Sequence, residues 1–196
     1  DAPVWIVDPA DGTHNFAHGK PPFTVIVALA DQSGVRAGWI IDPVKSDAAW
    51  AIRGAGICYQ DASGAVTCPA RPDKRFEEGI MTAGPKLQSR IGRAAADLAM
   101  PKPQLKARYR CVGREYMDIA TGDLDFARYG GLLKPWDHAA GVLIVEEAGG
   151  RVRRLGDGAP YTLAPALESQ FIGVAGSAAH WPAFEKLARL ADELPA

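Results

Sequence analysis

The first 78 residues alternate short apolar runs with turn-forming residues. The apolar runs occupy residues 4–7, 25–30, 35–41 and 48–52, and residues rich in Asp, Pro, Gly and Ser separate them. Strands at this spacing are typical of an antiparallel meander. Residues 57–67 add a predicted hairpin that turns at residues 61–64.

The pattern changes after residue 78 to alternating strands and helices. Predicted strands occupy residues 80–82, 104–109, 124–128, 151–155 and 171–175, and predicted helices occupy residues 86–100, 115–121, 136–148 and 180–194. This alternation predicts an α/β layer. The polar, proline-containing segment 69–78 separates the two patterns, so we predict domains at 1–78 and 79–196.

Composition and charge narrow the possible partners. Of the 196 residues, 47% are hydrophobic and 23% are charged, which is typical of a folded globular protein and not of a disordered one. Lys and Arg number 22 and Asp and Glu 23, giving a formal net charge of −1. Such a chain has no overall field that attracts a nucleic acid polymer or an anionic membrane. We expect a small-molecule partner.

The cysteines indicate the cellular compartment of the chain, and the first residues indicate where in a domain it begins. Cys58, Cys68 and Cys111 are too few and too scattered for a disulfide scaffold or a zinc site. We therefore expect a reducing, cytoplasmic compartment. No apolar run approaches the roughly 20 residues needed to span a bilayer. The chain begins at Asp1, without Met, directly before an apolar run, so we expect it to start inside a domain.

The first candidate site follows the first apolar run. Asp8 and Asp11 lie three residues apart around a predicted turn, and the Ala10 carbonyl between them is a further oxygen donor. Oxygen donors of this kind suit Mg²⁺. Gly12 and Thr13 could present amides and a hydroxyl to a phosphate. An ordinary Asp-Gly turn capped by Asp8, or an incomplete calcium loop, are alternative interpretations.

The second candidate site is Asp137, which opens the predicted helix 136–148. That helix is apolar nearly all round, so it is buried between layers and Asp137 lies at the rim of a core. Asp137 alone is equally consistent with a favourable charge at the helix N-terminus. Together with Asp8 and Asp11 it gives three carboxylates, which need cations to hold them. Phosphoryl chemistry with magnesium is the natural use of such a cluster.

Two long segments resemble the signatures of a known family. Residues 5–19 read Trp-Ile-Val-Asp-Pro-Ala-Asp-Gly-Thr-His-Asn-Phe-Ala-His-Gly, and residues 134–141 read Lys-Pro-Trp-Asp-His-Ala-Ala-Gly, followed by Glu-Glu-Ala-Gly-Gly at 146–150. Both resemble the inositol monophosphatase family. The resemblance implies a layered α/β/α/β/α sandwich, magnesium-dependent hydrolysis of a phosphate monoester by a metal-activated water, and a homodimer.

The resemblance also implies roles for individual residues. Asp8 and the Ala10 carbonyl would bind one metal ion, and Asp11 would be shared with a second ion that Asp137 completes. Gly12 and Thr13 would hold the phosphate, and Thr13 would orient the nucleophilic water, so Thr13 and Asp11 are the expected catalytic residues. Asp137 would also contact the substrate hydroxyl beside the scissile phosphate.

One departure from the family pattern affects activity. Family members carry a Gly-Glu-Glu motif and two preceding helices, and this chain contains neither. We therefore expect the N-terminal helical layer to be missing and the chain to expose apolar surface and to self-associate. A non-catalytic phosphate-binding or assembly module that retains the fold is the alternative function.

A second departure concerns the substrate. In the family, inositol recognition uses a small residue two places after the glycine that matches Gly113, and a glutamate seven residues before the aspartate that matches Asp137. Glu115 and Gly130 occupy these positions. Arg114 could pair with Glu115 or reach a second anionic group of the substrate. We predict poor use of myo-inositol 1-phosphate relative to a linear polyol, amino-alcohol or nucleotide phosphate.

Overall fold

The computed structural model describes residues 2–163 and 169–195. The strands are β1 Val4–Asp11, β2 Thr24–Asp31, β3 Gly34–Asp42, β4 Asp47–Ile52, β5 Ile57–Gln60, β6 Val66–Thr67, β7 Ile80–Thr82, β8 Gln104–Lys106, β9 Phe126–Gly131, β10 Arg151–Arg154 and β11 Gln170–Ala175. The helices are α1 Thr13–Ala17, α2 Pro85–Asp97, α3 Val112–Thr121, α4 Pro135–Glu147 and α5 Trp181–Glu193.

The first six strands form one antiparallel meander in sequence order, as the turn spacing predicted. Strand β2 shows why: its side chains alternate between buried and half-buried along the whole strand. Ile26, Ala28 and Ala30 point to the core, where they are almost completely buried. Successive side chains of a strand point to opposite faces of the sheet, so every second residue of β2 lies in the core.

The second sheet contains the other five strands in the order β10-β11-β9-β7-β8. Strand β7 pairs in parallel with β8 and β9, whereas β11 is antiparallel to both β9 and β10. The sheet is therefore mixed. The parallel pairs need helical crossovers, and α2 and α3 supply them.

Helices and sheets stack in four layers. Helices α3 and α4 lie between the sheets, and one core joins Ile40 of β3, Ile144 of α4 and Val174 of β11. Helices α2 and α5 cover the other face of the second sheet, where Ile91 and Phe184 are fully buried. The order sheet, helices, sheet, helices corresponds to four layers of the expected five-layer sandwich.

Several element boundaries differ from those predicted. Strand β1 continues to Asp11, with a register shift between Asp8 and Asp11, where the sequence predicted a turn. Helix α2 ends at Asp97 and not at residue 100, because Ala99 adopts a positive φ of 48°. Helix α3 begins at Val112, three residues earlier than predicted, and β9 occupies Phe126–Gly131 in place of 124–128.

The two predicted domains share one core. The change from the first sheet to the second falls near residue 78, in agreement with the composition. Helices α3 and α4, which belong to the segment 79–196, bury the inner face of the sheet formed by the segment 1–78. The division into two domains at 1–78 and 79–196 stays a prediction. In the described part of the chain, no helix has both the length and the apolar character required to cross a membrane.

The outer face of the first sheet is apolar and open. Trp5 is 63% exposed and its ring lies 6.0 Å from that of Trp39, while Val7 and Ile52 are about half exposed. We refer to these four side chains as the open sheet face. Contiguous apolar surface of this kind is typical of an interaction surface.

We expect the 196-residue chain to self-associate through the open sheet face. The apparent mass in sedimentation equilibrium should rise with protein concentration, because association removes the open sheet face from water. The variant Trp5→Ser should weaken this dependence. Leu132→Ser is the matched control, since Leu132 is 64% exposed elsewhere on the surface. A concentration-independent monomer mass for the unmodified chain would contradict the expectation.

Candidate active site

The end of β1 and the start of α1 form a compact loop held by local hydrogen bonds. The Ala10 amide donates to Asp8 Oδ1 over 2.9 Å, and the Thr13 hydroxyl donates to the Ala10 carbonyl over 3.0 Å. Gly12 adopts a φ of 81°, and a Cβ there would lie 3.0 Å from the Pro22 carbonyl oxygen. Only glycine fits this left-handed, crowded position without strain.

Asp11 is fixed by three donors from two other parts of the chain. Its Oδ2 accepts from the Gly113 amide at 2.7 Å, from the Thr24 hydroxyl at 3.0 Å and from the Cys111 thiol at 3.1 Å. Asp11 is only 7% exposed. Three donors to one oxygen hold the carboxylate in a single orientation, because rotation would leave buried polar groups unpaired.

Asp137 meets the β1 carboxylates from the first turn of α4. Burial, followed by the negative charges of Asp11 and Asp8, raises the pKa of Asp137 to about 6, while Lys134 opposes the shift. The fold therefore places Asp137 within electrostatic range of Asp8 and Asp11, the other two acidic residues that the sequence analysis singled out.

The chemistry of the oxygen donors near Asp137 suits a divalent cation. Asp8, Asp11, Asp137 and the Ala10 carbonyl all present oxygen, the ligand type that Mg²⁺ prefers. Across residues 2–163 and 169–195, no three His, Cys, Asp or Glu side chains converge as a ready-made metal cage. Burial, and then the charges of Asp11 and Asp8, disfavour the ionised form of Asp137, and Lys134 offsets only part of this effect. A hard cation fits this position, since it would replace the proton.

Comparison with known proteins identifies the family. The model of the inositol monophosphatase family matches residues 1–196. The chain belongs to the inositol monophosphatase family.

Individual family members agree with this assignment. The chain is 33% identical over 154 residues to an inositol-1-monophosphatase of Caulobacter vibrioides, covering 76% of this chain and 59% of that protein. It is 34% identical over 163 residues to Nus factor SuhB of Pasteurella multocida, covering 80% and 58%. The crystal structure of the extragenic suppressor protein suhB from Bartonella henselae superposes with a TM-score of 0.77 at 27% identity, covering 95% and 72%. The chain thus spans about three-fifths of the length of these curated relatives.

Arg114 is not available to a substrate in this inositol monophosphatase family member. Its guanidinium binds both carboxylate oxygens of Asp47, at 2.9 and 2.8 Å, and also binds Asp118. Its side chain is 4% exposed. This location corrects the expectation that Arg114 pairs with Glu115 or reaches an anionic group of the substrate, because buried carboxylates already use its charge.

Glu115 faces inward. It is 3% exposed, it accepts a hydrogen bond from the Tyr109 amide at 2.9 Å, and the hydroxyl groups of Tyr129 and Thr82 lie near its carboxyl. Burial raises the pKa of Glu115. The carboxyl therefore occupies space in the protein interior and does not turn to the solvent.

The Gly130 position has no acceptor side chain, and neighbouring groups fill its space. A Cβ at Gly130 would lie 2.1 Å from the ring of Phe171. The Arg128 guanidinium stacks 3.8 Å above the centre of that ring. Sequence reasoning identified neither Phe171 nor Arg128. Phe171 meets Gly130 only through the pairing of β9 with β11, and Arg128 lies two residues before Gly130 on the same face of β9.

Sequence reasoning also missed Thr24 and Cys111, which anchor Asp11. The predicted strand begins at residue 25, directly after Thr24, and Cys111 is one of three scattered cysteines. Cys111 is buried, and burial together with the charge of Asp11 raises the pKa of its thiol. A threonine directly before a predicted strand is the one signal that the sequence offered.

We expect Thr24→Val to lower stability by about 1 kcal/mol, because the Asp11 carboxylate loses one of three donors while the side-chain shape is kept. Urea unfolding checks this. Thr67→Val, at an exposed position of β6, is the matched control and should change stability by less than about 0.5 kcal/mol. Equal losses in the two variants would show that Thr24 does not hold Asp11.

Proposed function

We propose that this chain carries the metal- and phosphate-binding site of a magnesium-dependent phosphatase that hydrolyses a small phosphate monoester. The observation that supports the proposal most is the meeting of Asp137 with Asp8 and Asp11, in which the pKa of Asp137 rises to about 6. Clustered carboxylates in a nearly neutral chain are typical of a cation site. Membership of the inositol monophosphatase family supports the reaction class.

Each residue of the cluster has a task in the proposal. Asp8, the Ala10 carbonyl, Asp11 and Asp137 would hold Mg²⁺, which supplies charge neutralisation at phosphate oxygens and a lowered pKa for a bound water. The three donors to Asp11 keep its carboxylate oriented towards that position without reorganisation. Asp137 also accepts a hydrogen bond from the substrate hydroxyl beside the scissile bond.

Gly12 and Thr13 would hold the phosphate. Gly12 lets the backbone turn sharply at φ 81°, at a position too crowded for a Cβ. The Thr13 hydroxyl donates to the Ala10 carbonyl, so its oxygen lone pairs remain available to orient the attacking water. Gly113 belongs to the same site through its amide bond to Asp11.

The alternative is a non-catalytic phosphate-binding or assembly module. The observation that favours it is the name Nus factor carried by the SuhB relative of Pasteurella multocida. The open sheet face would serve such a role. For either function we propose a cytoplasmic homodimer whose small-molecule ligand is a phosphate ester, without a nucleic acid polymer or a membrane as partner.

Phosphate release by the chain, with and without Mg²⁺, distinguishes the two functions. The proposed phosphatase releases phosphate from a panel of monoesters only when Mg²⁺ is present. The assembly alternative predicts that inorganic phosphate raises the melting temperature while no monoester is hydrolysed. Metal-independent release would contradict the proposed reaction.

Within that panel we expect myo-inositol 1-phosphate to be used about ten- to a hundred-fold less efficiently than a linear polyol, amino-alcohol or nucleotide phosphate. Gly130 offers no acceptor to a ring hydroxyl, and Glu115 fills space beside the site. A missing partner for a buried hydroxyl costs about 1 to 3 kcal/mol. The measurement is kcat/KM at saturating Mg²⁺. A clear preference for the inositol ester would contradict this account of both residues.

A further inference from the structure

Two of the three cysteines meet on the edge hairpin of the first sheet. In the β5–β6 pairing, Tyr59 faces Thr67 and Gln60 faces Val66. One step along the same register places Cys58 of β5 opposite Cys68, the residue directly after β6. Ten positions separate the two cysteines in sequence, so their proximity depends wholly on the hairpin register.

The geometry of an antiparallel pair suits a disulfide bond. Directly opposed residues have Cα atoms about 4.5 or about 5.5 Å apart, depending on the type of pair. Both values fall within the range of about 4.4 to 6.8 Å that disulfides span. Burial and the neighbouring Cys68 thiol raise the pKa of Cys58, in agreement with the proximity that the strand register predicts.

We propose that Cys58 and Cys68 form a redox-sensitive modification site, at which a small disulfide oxidant such as oxidised glutathione converts the two thiols into an intramolecular disulfide. Cys68 is exposed and Cys58 is half-buried, so the oxidant reaches Cys68 first. The third cysteine, Cys111, is buried beside Asp11 and takes no part.

The reaction proceeds by two thiol–disulfide exchanges. The Cys68 sulfur bonds to one sulfur of oxidised glutathione, the glutathione disulfide breaks, and one reduced glutathione leaves with the Cys68 proton. The Cys58 sulfur then bonds to the Cys68 sulfur, the bond between Cys68 and glutathione breaks, and the second reduced glutathione leaves with the Cys58 proton. Two protein thiols are oxidised by two electrons in total, and one glutathione disulfide is reduced.

The bond would join the two strands where the sheet is weakest. Strand β6 has only two residues, Val66–Thr67, and both are exposed. A disulfide encloses residues 59–67 and restricts the unfolded hairpin. The oxidised chain should therefore resist proteolysis between residues 61 and 68 more strongly than the reduced chain, because the edge strand cannot separate from β5.

The test equilibrates the folded chain in buffers of graded oxidised and reduced glutathione, quenches with acid, alkylates free thiols and identifies peptides by mass spectrometry. We expect a monomer lighter by two hydrogen atoms, with a Cys58–Cys68 linked peptide and an alkylation-resistant Cys111 until denaturant is added. Oxidation should raise the melting temperature of the wild type by about 5 °C.

Matched variants keep the proposal falsifiable. Cys58→Ser should stop at a glutathione adduct on Cys68, and Cys68→Ser should react much more slowly; neither should show an increased melting temperature after oxidation. The reduced variants should melt within about 2 °C of the reduced wild type, since serine is nearly isosteric. Any of three results with the wild type would overturn the proposal. They are a glutathione adduct on Cys68 beside a free Cys58, a dimer linked through Cys68, and unreacted thiols under strongly oxidising conditions.

Discussion

Asp137→Asn is expected to lower magnesium-dependent phosphate release by a factor of about 10² to 10³, because the site loses the negative charge of one ligand. The same variant should be as stable as the wild type, or more stable, in the absence of metal at pH 8. The wild-type carboxylate, whose pKa is raised to about 6, is then ionised beside Asp8 and Asp11, and asparagine removes that repulsion. The readouts are phosphate release and urea unfolding.

The metal dependence of stability separates a ligand from a merely structural residue. Mg²⁺ should raise the melting temperature of the wild type, and this increase should diminish as the pH falls through about 6, because protons compete for Asp137. Asp137→Asn should abolish most of the increase. Asp97→Asn, an exposed position at the end of α2, is the matched control. Unchanged turnover and an unchanged metal effect in Asp137→Asn would show that the site is assigned wrongly.

Arg114→Met is expected to destabilise the chain by about 3 to 5 kcal/mol, because it removes the positive charge between buried carboxylates and leaves them uncompensated. Asp47 and Asp118 both bind the guanidinium, and Asp42 Oδ2 lies 3.6 Å from it without a hydrogen bond of its own. Arg36→Met, on the surface, should cost less than about 1 kcal/mol. Urea unfolding of both variants provides the comparison.

The pH dependence of the Arg114 variant gives a second measurement. Without the guanidinium, the buried carboxylates of Asp47 and Asp118 lose the positive charge that binds them. The variant should therefore recover stability relative to the wild type as the pH is lowered from 8 to 5, since protonation removes the uncompensated charge. A constant difference between variant and wild type over that range would mean that lost packing, and not lost charge, explains the effect.

The local pattern of the chain determined its elements and the general position of its chemistry. The spacing of apolar runs and turn-forming residues predicted an antiparallel meander, and the nearly all-apolar helix α4 predicted a layer enclosed on both sides. Both predictions follow from the local order of apolar, polar and turn-forming residues along the chain. Asp8, Asp11 and Asp137 were recognisable because acidic residues stood at the ends of these elements.

The contacts that turn those elements into a site depend on the tertiary structure. Asp11 is oriented by Gly113, 102 positions away, and Arg114 is withdrawn from the substrate by Asp47, 67 positions away. No periodic pattern in the sequence predicts such contacts. Residues that are neighbours along the chain do not decide which buried donor faces which acceptor.

The same limit explains the cysteines, which looked scattered in the sequence but which the hairpin register places opposite each other. Sequence by itself determined which residues carry charge, sulfur and conformational freedom. Packing decided which of them meet, because burial in a close-packed interior requires each polar group to find a partner wherever the fold brings one.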